Sequence, residues 1–215
     1  MQDKRISRRR FLWVAGGALG ASMLLCGGVA TVAAMPTPAL NFGQSSCGKG
    51  RNMQKVLVAY ASRCGSTAEG GQAIADQLCQ RGAAVDVCSV EEVQDVAAYD
   101  AVVLGSAIRM GKWLPAALEL VEQNTAALQA KQTAFFTVHM LNADDSAASH
   151  QARAAYVEPV HALMTPQYEA FFTGKMDMSK LSFVDRMVAK MVKSKDEDRR
   201  DWPAIRAWGE QIFAA

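Results

Sequence analysis

Residues 62–67 read Ser-Arg-Cys-Gly-Ser-Thr, a turn with three hydroxyls, a guanidinium, a thiol and almost no bulk. It lies between the apolar run KVLVAYA, residues 55–61, and a stretch with helical spacing. A helix starting there offers free backbone N–H groups and the positive end of its dipole, which together suit a phosphate. Ser62, Ser66 and Thr67 add hydroxyl donors, Gly65 lets the backbone wrap closely, and Arg63 and Cys64 complete the turn. The spacing matches neither the GxxxxGKS/T phosphate loop nor the GxGxxG dinucleotide fingerprint. A helix start capped by Ser66 or Thr67 would use the same residue types.

A second candidate stretch runs Ser106-Ala107-Ile108-Arg109-Met110-Gly111-Lys112-Trp113 after another apolar run. Its backbone amides can meet the edge of a flat ring, and Met110 or Trp113 can cover a ring face. Arg109 would set positive charge beside a ring that becomes anionic on reduction. Trp113 reads equally well as core. A third stretch begins at His139, which either borders a cofactor or is a hydrogen-bonded structural histidine, the commoner case. His150 and His161 carry no assigned chemistry. No Ser-His-Asp set, carboxylate pair or metal cluster stands at a persuasive spacing, so no catalytic residue and no metal ligand is assigned. Any redox chemistry would belong to a cofactor that the protein holds.

The elements that must position these stretches follow from periodicity. Strands are expected over 55–61, 84–90, 101–106, 133–138 and 169–173, and helices over 66–81, 114–129, 147–164, 181–193 and 203–213. Strands alternating with helices give βαβ units and a parallel sheet covered on both faces. Five strands suit an α/β, flavodoxin-like doubly wound sheet in the order 2-1-3-4-5, with helices on both faces. Ligands of such sheets bind beyond the carboxyl ends of the strands, where the winding reverses. The three stretches all fall there.

The front of the chain is a separate matter. Ser7-Arg8-Arg9-Arg10-Phe11-Leu12 matches the twin-arginine export signature, and residues 11–34 carry no charge. Val32-Ala33-Ala34 offers small residues for cleavage, so residues 1–34 read as a signal peptide. The same span is long enough to remain as a membrane anchor. Residues 35–53 have linker composition, and the domain proper is expected over 54–215. Removing the leader's five basic residues and one acid from the chain's 23 and 21 leaves 18 and 20, a net charge of −2. The basic balance belongs to the leader, and nothing argues for nucleic acid. The five cysteines, at 26, 47, 64, 79 and 88, fit neither a CxxC pair nor a zinc site. They read as small buried thiols, although export would permit disulfides, Cys79 with Cys88 being the nearest helix-to-strand pair.

Taken together, Y-x-S-R-x-G-S-T from Tyr60, VVLGSAIRMGKW and AFFTVHML resemble the flavodoxin family, and within it the menaquinone-dependent protoporphyrinogen IX dehydrogenase branch. The branch pattern G-A/S-A/S-I-R-x-G is matched by Gly105 to Gly111, and looser matches continue at Phe172-Thr173-Gly174, Asp185-Arg186 and Trp202. The resemblance covers about residues 54–213. It implies non-covalent FMN, with Ser62–Thr67 at the phosphate and Ser106–Gly111 at the ring, and two-electron exchange with a quinone. Twin-arginine transport moves folded proteins, so FMN would be loaded before transit to the periplasm or the outer face of the cytoplasmic membrane. Residues 181–195 interleave Phe183, Met187, Val188, Met191 and Val192 with Arg186, Lys190, Lys193 and Lys195. They read either as a basic amphipathic helix suited to peripheral membrane contact or as an ordinary helix packed on the sheet. The leading expectation is an exported FMN oxidoreductase linked to quinones. The alternatives are an electron carrier without a small substrate and a cofactor-free binding protein on the same fold.

Overall fold

The computed structural model describes residues 44–48, 53–181, 186–187 and 195–214. The leader and the whole of the 181–193 helix other than Leu181, Arg186 and Met187 lie outside the described residues. KVLVAYA forms strand β2, Lys55–Ala61, following a short strand β1, Ser45–Cys47. Six of the seven β2 residues are buried, as an unbroken apolar run in a sheet covered on both sides requires. Helix α1 spans Ser66–Gln80 and delivers the chain to β3, Ala84–Ser89. Then come β4, Ala101–Arg109, a short β5, Lys112–Trp113, and α2, Pro115–Gln129. Strand β6, Gln132–His139, helix α3, Ala147–His161, and strand β7, Tyr168–Thr173, complete the main sheet. Two-residue strands β8, Lys175–Met176, and β9, Glu197–Asp198, pair antiparallel, and α4, Trp202–Gln211, closes the domain.

The sheet runs β1-β3-β2-β4-β6-β7, with β5 folded back on β4. Its five long strands are parallel and lie in the order second, first, third, fourth, fifth along the chain. Alternate residues of each strand feed two cores. Val56, Val58, Val85, Val103 and Phe136 pack with α1 and α4. Leu57, Ala59, Val102, Leu104 and Phe135 pack with α2 and α3.

Two expectations change. The linker over 35–53 contains β1, which pairs antiparallel with Val85–Val87 at the sheet edge. Ser-Ser-Cys carries no strand periodicity, and its extended form comes from its partner. The cysteines also pair differently: Cys47 on β1 is disulfide-bonded to Cys79 on α1, with their Cα atoms 6.2 Å apart. Cys88 remains a buried thiol. It belongs to the α2–α3 core, whereas Cys79 packs on the opposite side of the sheet, so a bond between those two is excluded.

Candidate functional site

The parallel strands end together, because Ala61 stands beside Ser106, Ser106 beside Thr137, and His139 beside Thr173. The 62–65 turn leaves the end of β2 and enters α1 through Gly65, which is the N-cap with φ 89°, in the left-handed region. No side chain caps this helix end. The alternative of Ser66 or Thr67 as the cap is therefore not what forms, and the first-turn amides keep their positive end open toward the turn. Ser62 closes the turn on itself, its Oγ accepting a 3.0 Å hydrogen bond from the Gly65 amide. Arg63 and Cys64 are half-buried between them.

Beneath the turn lie Ser66 and Thr67, 8% and 1% exposed. Ser66 Oγ accepts from the Lys175 amide at 2.9 Å and still has its own proton to donate. Thr67 Oγ1 is buried and, among the described residues, has no hydrogen-bond partner. A buried hydroxyl without a partner costs about 1–3 kcal/mol, so such a group calls for an explanation. A phosphate seated in the turn would supply an acceptor for both hydroxyls and for the open amides. The donor set (two hydroxyls, helix-end N–H groups and a nearby guanidinium) fits the terminal phosphate of FMN.

Two later segments, around Gly174 and Arg200, pack against this turn. Gly174 is buried, and a Cβ there would come within 2.7 Å of Val138 Cγ1 and 3.1 Å of Ser66 Oγ, so the chain can cross the turn only as glycine. Beyond β9, Arg200 ion-pairs Glu69 in the first turn of α1 and holds Asp198 with two hydrogen bonds. Its side chain is only 8% exposed and stacks 4.5 Å over the Trp202 ring. The Arg200 hydrogen bonds hold the Asp198 carboxyl down to about 2. The signal for these contacts was no more than the loose Phe172-Thr173-Gly174 match.

The second stretch is not a loop throughout. Strand β4 continues to Arg109, and Met110 and Gly111, both at positive φ, turn it into β5 with Arg109 opposite Lys112. Ser106 is fully buried, its Oγ accepting from the Leu114 amide and donating to the Ala107 carbonyl, both at 3.0 Å. Its side chain therefore serves the fold. Ala107 and Ile108 are half-buried on β4, Ile108 against the α2–α3 core, and Arg109 is half-buried at the strand end. Trp113 is core, 2% exposed, donating from Nε1 to Thr137 Oγ1 at 2.9 Å and packing on Phe135. Met110 stands 84% exposed at the hairpin tip, with its side chain available to cover a flat ligand.

His139 is 4% exposed and turned toward α3, near the rings of Tyr156 and Phe171. Its Nδ1 lies 2.7 Å from the Leu141 carbonyl, and burial lowers its pKa below the ordinary imidazole value, so it is a neutral, hydrogen-bonded histidine. The 62–67 turn and His139 thus lie toward opposite faces of the sheet. His150 and His161 pair with Asp145 and Glu169 on the α3 side. Among the described residues no group of His, Cys, Asp or Glu is arranged to hold a metal, and no helix is long and apolar enough to cross a membrane.

Comparison with known proteins agrees with this architecture. Protoporphyrinogen IX dehydrogenase (quinone) of Escherichia coli strain K12 is 25% identical over 170 residues, covering 74% of this chain and 94% of that protein. The Leishmania major protein of the same name is 26% identical over 178 residues, covering 74% and 75%. A Fusobacterium nucleatum flavodoxin bound to flavin mononucleotide superposes with a TM-score of 0.45 at 11% identity, over 73% of this chain and 95% of that one. An archaeal flavodoxin gives 0.44 at 16% identity, over 74% and 96%. The flavodoxin domain model matches residues 57–202, from within the first long strand to the start of α4, and the chain belongs to that family.

Proposed function

We propose that the chain is an exported FMN oxidoreductase that exchanges electrons with a quinone. The observation that carries the FMN assignment is the orphaned Thr67 hydroxyl under an uncapped helix end, at the carboxyl edge of the sheet. Bound there, FMN would supply two-electron chemistry. Ser62 shapes the turn, Ser66 and Thr67 donate to the phosphate, and Gly65 admits it. The end of β4 from Arg109 to Gly111 would meet the ring, and the Arg109 guanidinium would set positive charge beside it. The quinone and the export route rest on the resemblance to protoporphyrinogen IX dehydrogenase and on the twin-arginine leader. The Cys47–Cys79 bond supports export, since disulfides persist in oxidising compartments. Residues 181–195 are proposed to make the peripheral membrane contact that a membrane-dissolved acceptor needs.

An absorption spectrum of the purified full-length protein, before and after quinone, tests the reading. Yellow protein that turns over rapidly with quinone supports it. Yellow protein with slow one-electron exchange alone would make the chain a carrier, a role that the exposed Met110 and Leu141 near the strand ends would suit. Colourless protein that takes up no FMN would leave a cofactor-free binding protein. Conversion of Arg8 and Arg9 to Lys is expected to hold the chain in the cytoplasm, and unchanged secretion would remove the export assignment.

A further inference from the structure

The described cysteines divide between the two faces of the sheet. Cys47 and Cys79 are half-buried on the α1 side and bonded to each other. Cys88 is buried in the opposite core, where burial pushes its thiol up to about 11, and Cys64 sits unbonded to sulfur in the 62–67 turn. The bonded pair ties a weakly committed element, β1, to the well-packed helix α1. Strand β1 has three residues, and a ladder that short at a sheet edge holds poorly by itself. Around it the chain is shaped to bring Cys47 in: Ser45 Oγ donates to Gln72 Oε1 on α1 at 2.6 Å. Gly48 turns at φ 70° beneath the Ala83 carbonyl, where a Cβ would sit 2.5 Å away. The bond spans 32 positions and closes a covalent ring around β2, the phosphate turn and nearly all of α1. A reduced domain has its complete sheet of five parallel strands without β1, so folding and cofactor uptake can precede oxidation.

We propose that Cys47 and Cys79 are the substrate pair of a thiol oxidase met after transport, so that the domain crosses folded and reduced and is stapled at its destination. This rests on the export reading. In the reaction, the Cys47 thiolate attacks the oxidase disulfide and releases one oxidase thiol. Cys79 then attacks the mixed disulfide at Cys47, forming the Sγ–Sγ bond and releasing the second. Two electrons and two protons pass to the oxidase disulfide, which becomes a dithiol. Selectivity comes from placement: Cys47 and Cys79 stand with their Cα atoms 6.2 Å apart, within bonding reach of each other, whereas Cys88 is buried on the opposite face of the sheet.

The test uses the full chain in a Cys26→Ser background, so that loss of the leader leaves the thiol count unchanged. Cells are acid-quenched and fractionated, and the denatured protein is labelled with a polyethylene-glycol maleimide. Chain retained by Arg8→Lys with Arg9→Lys is expected to take four labels, and exported chain two. Exported Cys47→Ser chain is expected to take three. Exported chain that takes four labels overturns the proposal while export stands. Retained chain that already takes two overturns the timing, and exported Cys47→Ser chain that takes one overturns the pairing. If neither form leaves the cytoplasm, export has failed and the timing falls with it. Peptide mapping of purified chain oxidised with oxidised glutathione then still decides whether Cys47 pairs with Cys79.

Discussion

Replacing Thr67 by Val separates two accounts of the phosphate turn, because the consequences for the empty and the loaded protein have opposite signs. Thr67 is 1% exposed, and its hydroxyl has no partner among the described residues. Val keeps the shape and removes the oxygen. Without ligand, the variant is relieved of a buried unsatisfied group, a gain of about 1–2 kcal/mol. For a domain of this size that is a rise in Tm of roughly 2–8 °C. With FMN, it loses a hydrogen bond to a charged phosphate, worth about 1.5–3 kcal/mol. That predicts Kd weakened by about ten- to a hundredfold.

The assays are differential scanning calorimetry of the flavin-free protein and fluorescence titration with FMN. Thr67→Ser, which keeps the hydroxyl and drops the methyl, is the control that isolates the oxygen, and it should retain most of the affinity. A Val variant that melts lower without ligand and binds FMN as well as the wild type would refute the reasoning. Its hydroxyl would then be serving the fold, and the turn would be an ordinary helix start.

Gly65→Asp should strip FMN, because it sets a carboxylate against the phosphate and an L side chain at φ 89°, and unchanged flavin content would count against the turn. Gly105→Ala should lower Tm by several degrees, at a cost of about 3 kcal/mol, since the new methyl would lie 2.0 Å from the buried Phe136 ring. Cys47→Ser should cost about 3–4 kcal/mol of stability under oxidising conditions and nothing in reductant, by the loop entropy of a 32-position closure. Asp198, held down to about 2 by Arg200, binds its proton only well below the ordinary carboxylate range. Its stabilisation is thus present above about pH 4 and lost as pH falls toward 2. Trp202 fluorescence should report the change, because Arg200 stacks on that ring.

Elements buried on both faces were legible from composition. KVLVAYA gives β2 at the expected limits, and the strand–helix alternation gives the sheet. What escaped depends on partners distant in sequence. Strand β1 exists because Val85–Val87 offers an open edge, and Ser45–Cys47 alone carries no period of two. Strand β4 outran its expected end at Ser106 because β5 returns to pair with it through a two-residue turn at Met110-Gly111, a weaker hairpin signal than Asn-Gly. Read along the chain, Trp113 and His139 are each open to a site role or a structural one. Both fall on the α2–α3 face, where Trp113 makes a buried hydrogen bond and His139 a partly buried one. The helix start at Ser66 was legible because a helix N-terminus is a property of a few consecutive residues, although its cap is Gly65 and not Ser66 or Thr67.

The two ends of the excursion between β7 and α4 both land on the first turn of α1. Lys175 donates to Ser66 Oγ where it leaves, and Arg200 binds Glu69 where it returns. The described ends of this segment thus both contact the turn proposed to hold the phosphate, and FMN binding is predicted to couple to it. Arg200→Ala removes one anchor. Its carboxylate partners are 36% and 45% exposed, so solvent screening discounts the loss to about 1 kcal/mol. FMN binding should weaken about fivefold even though Arg200 is not among the proposed phosphate donors, and FMN should slow tryptic cleavage within 177–196 of the wild type. Cleavage at the same rate with and without saturating FMN would sever the two, leaving the excursion an independent appendage and the Ser66 and Glu69 contacts mere packing.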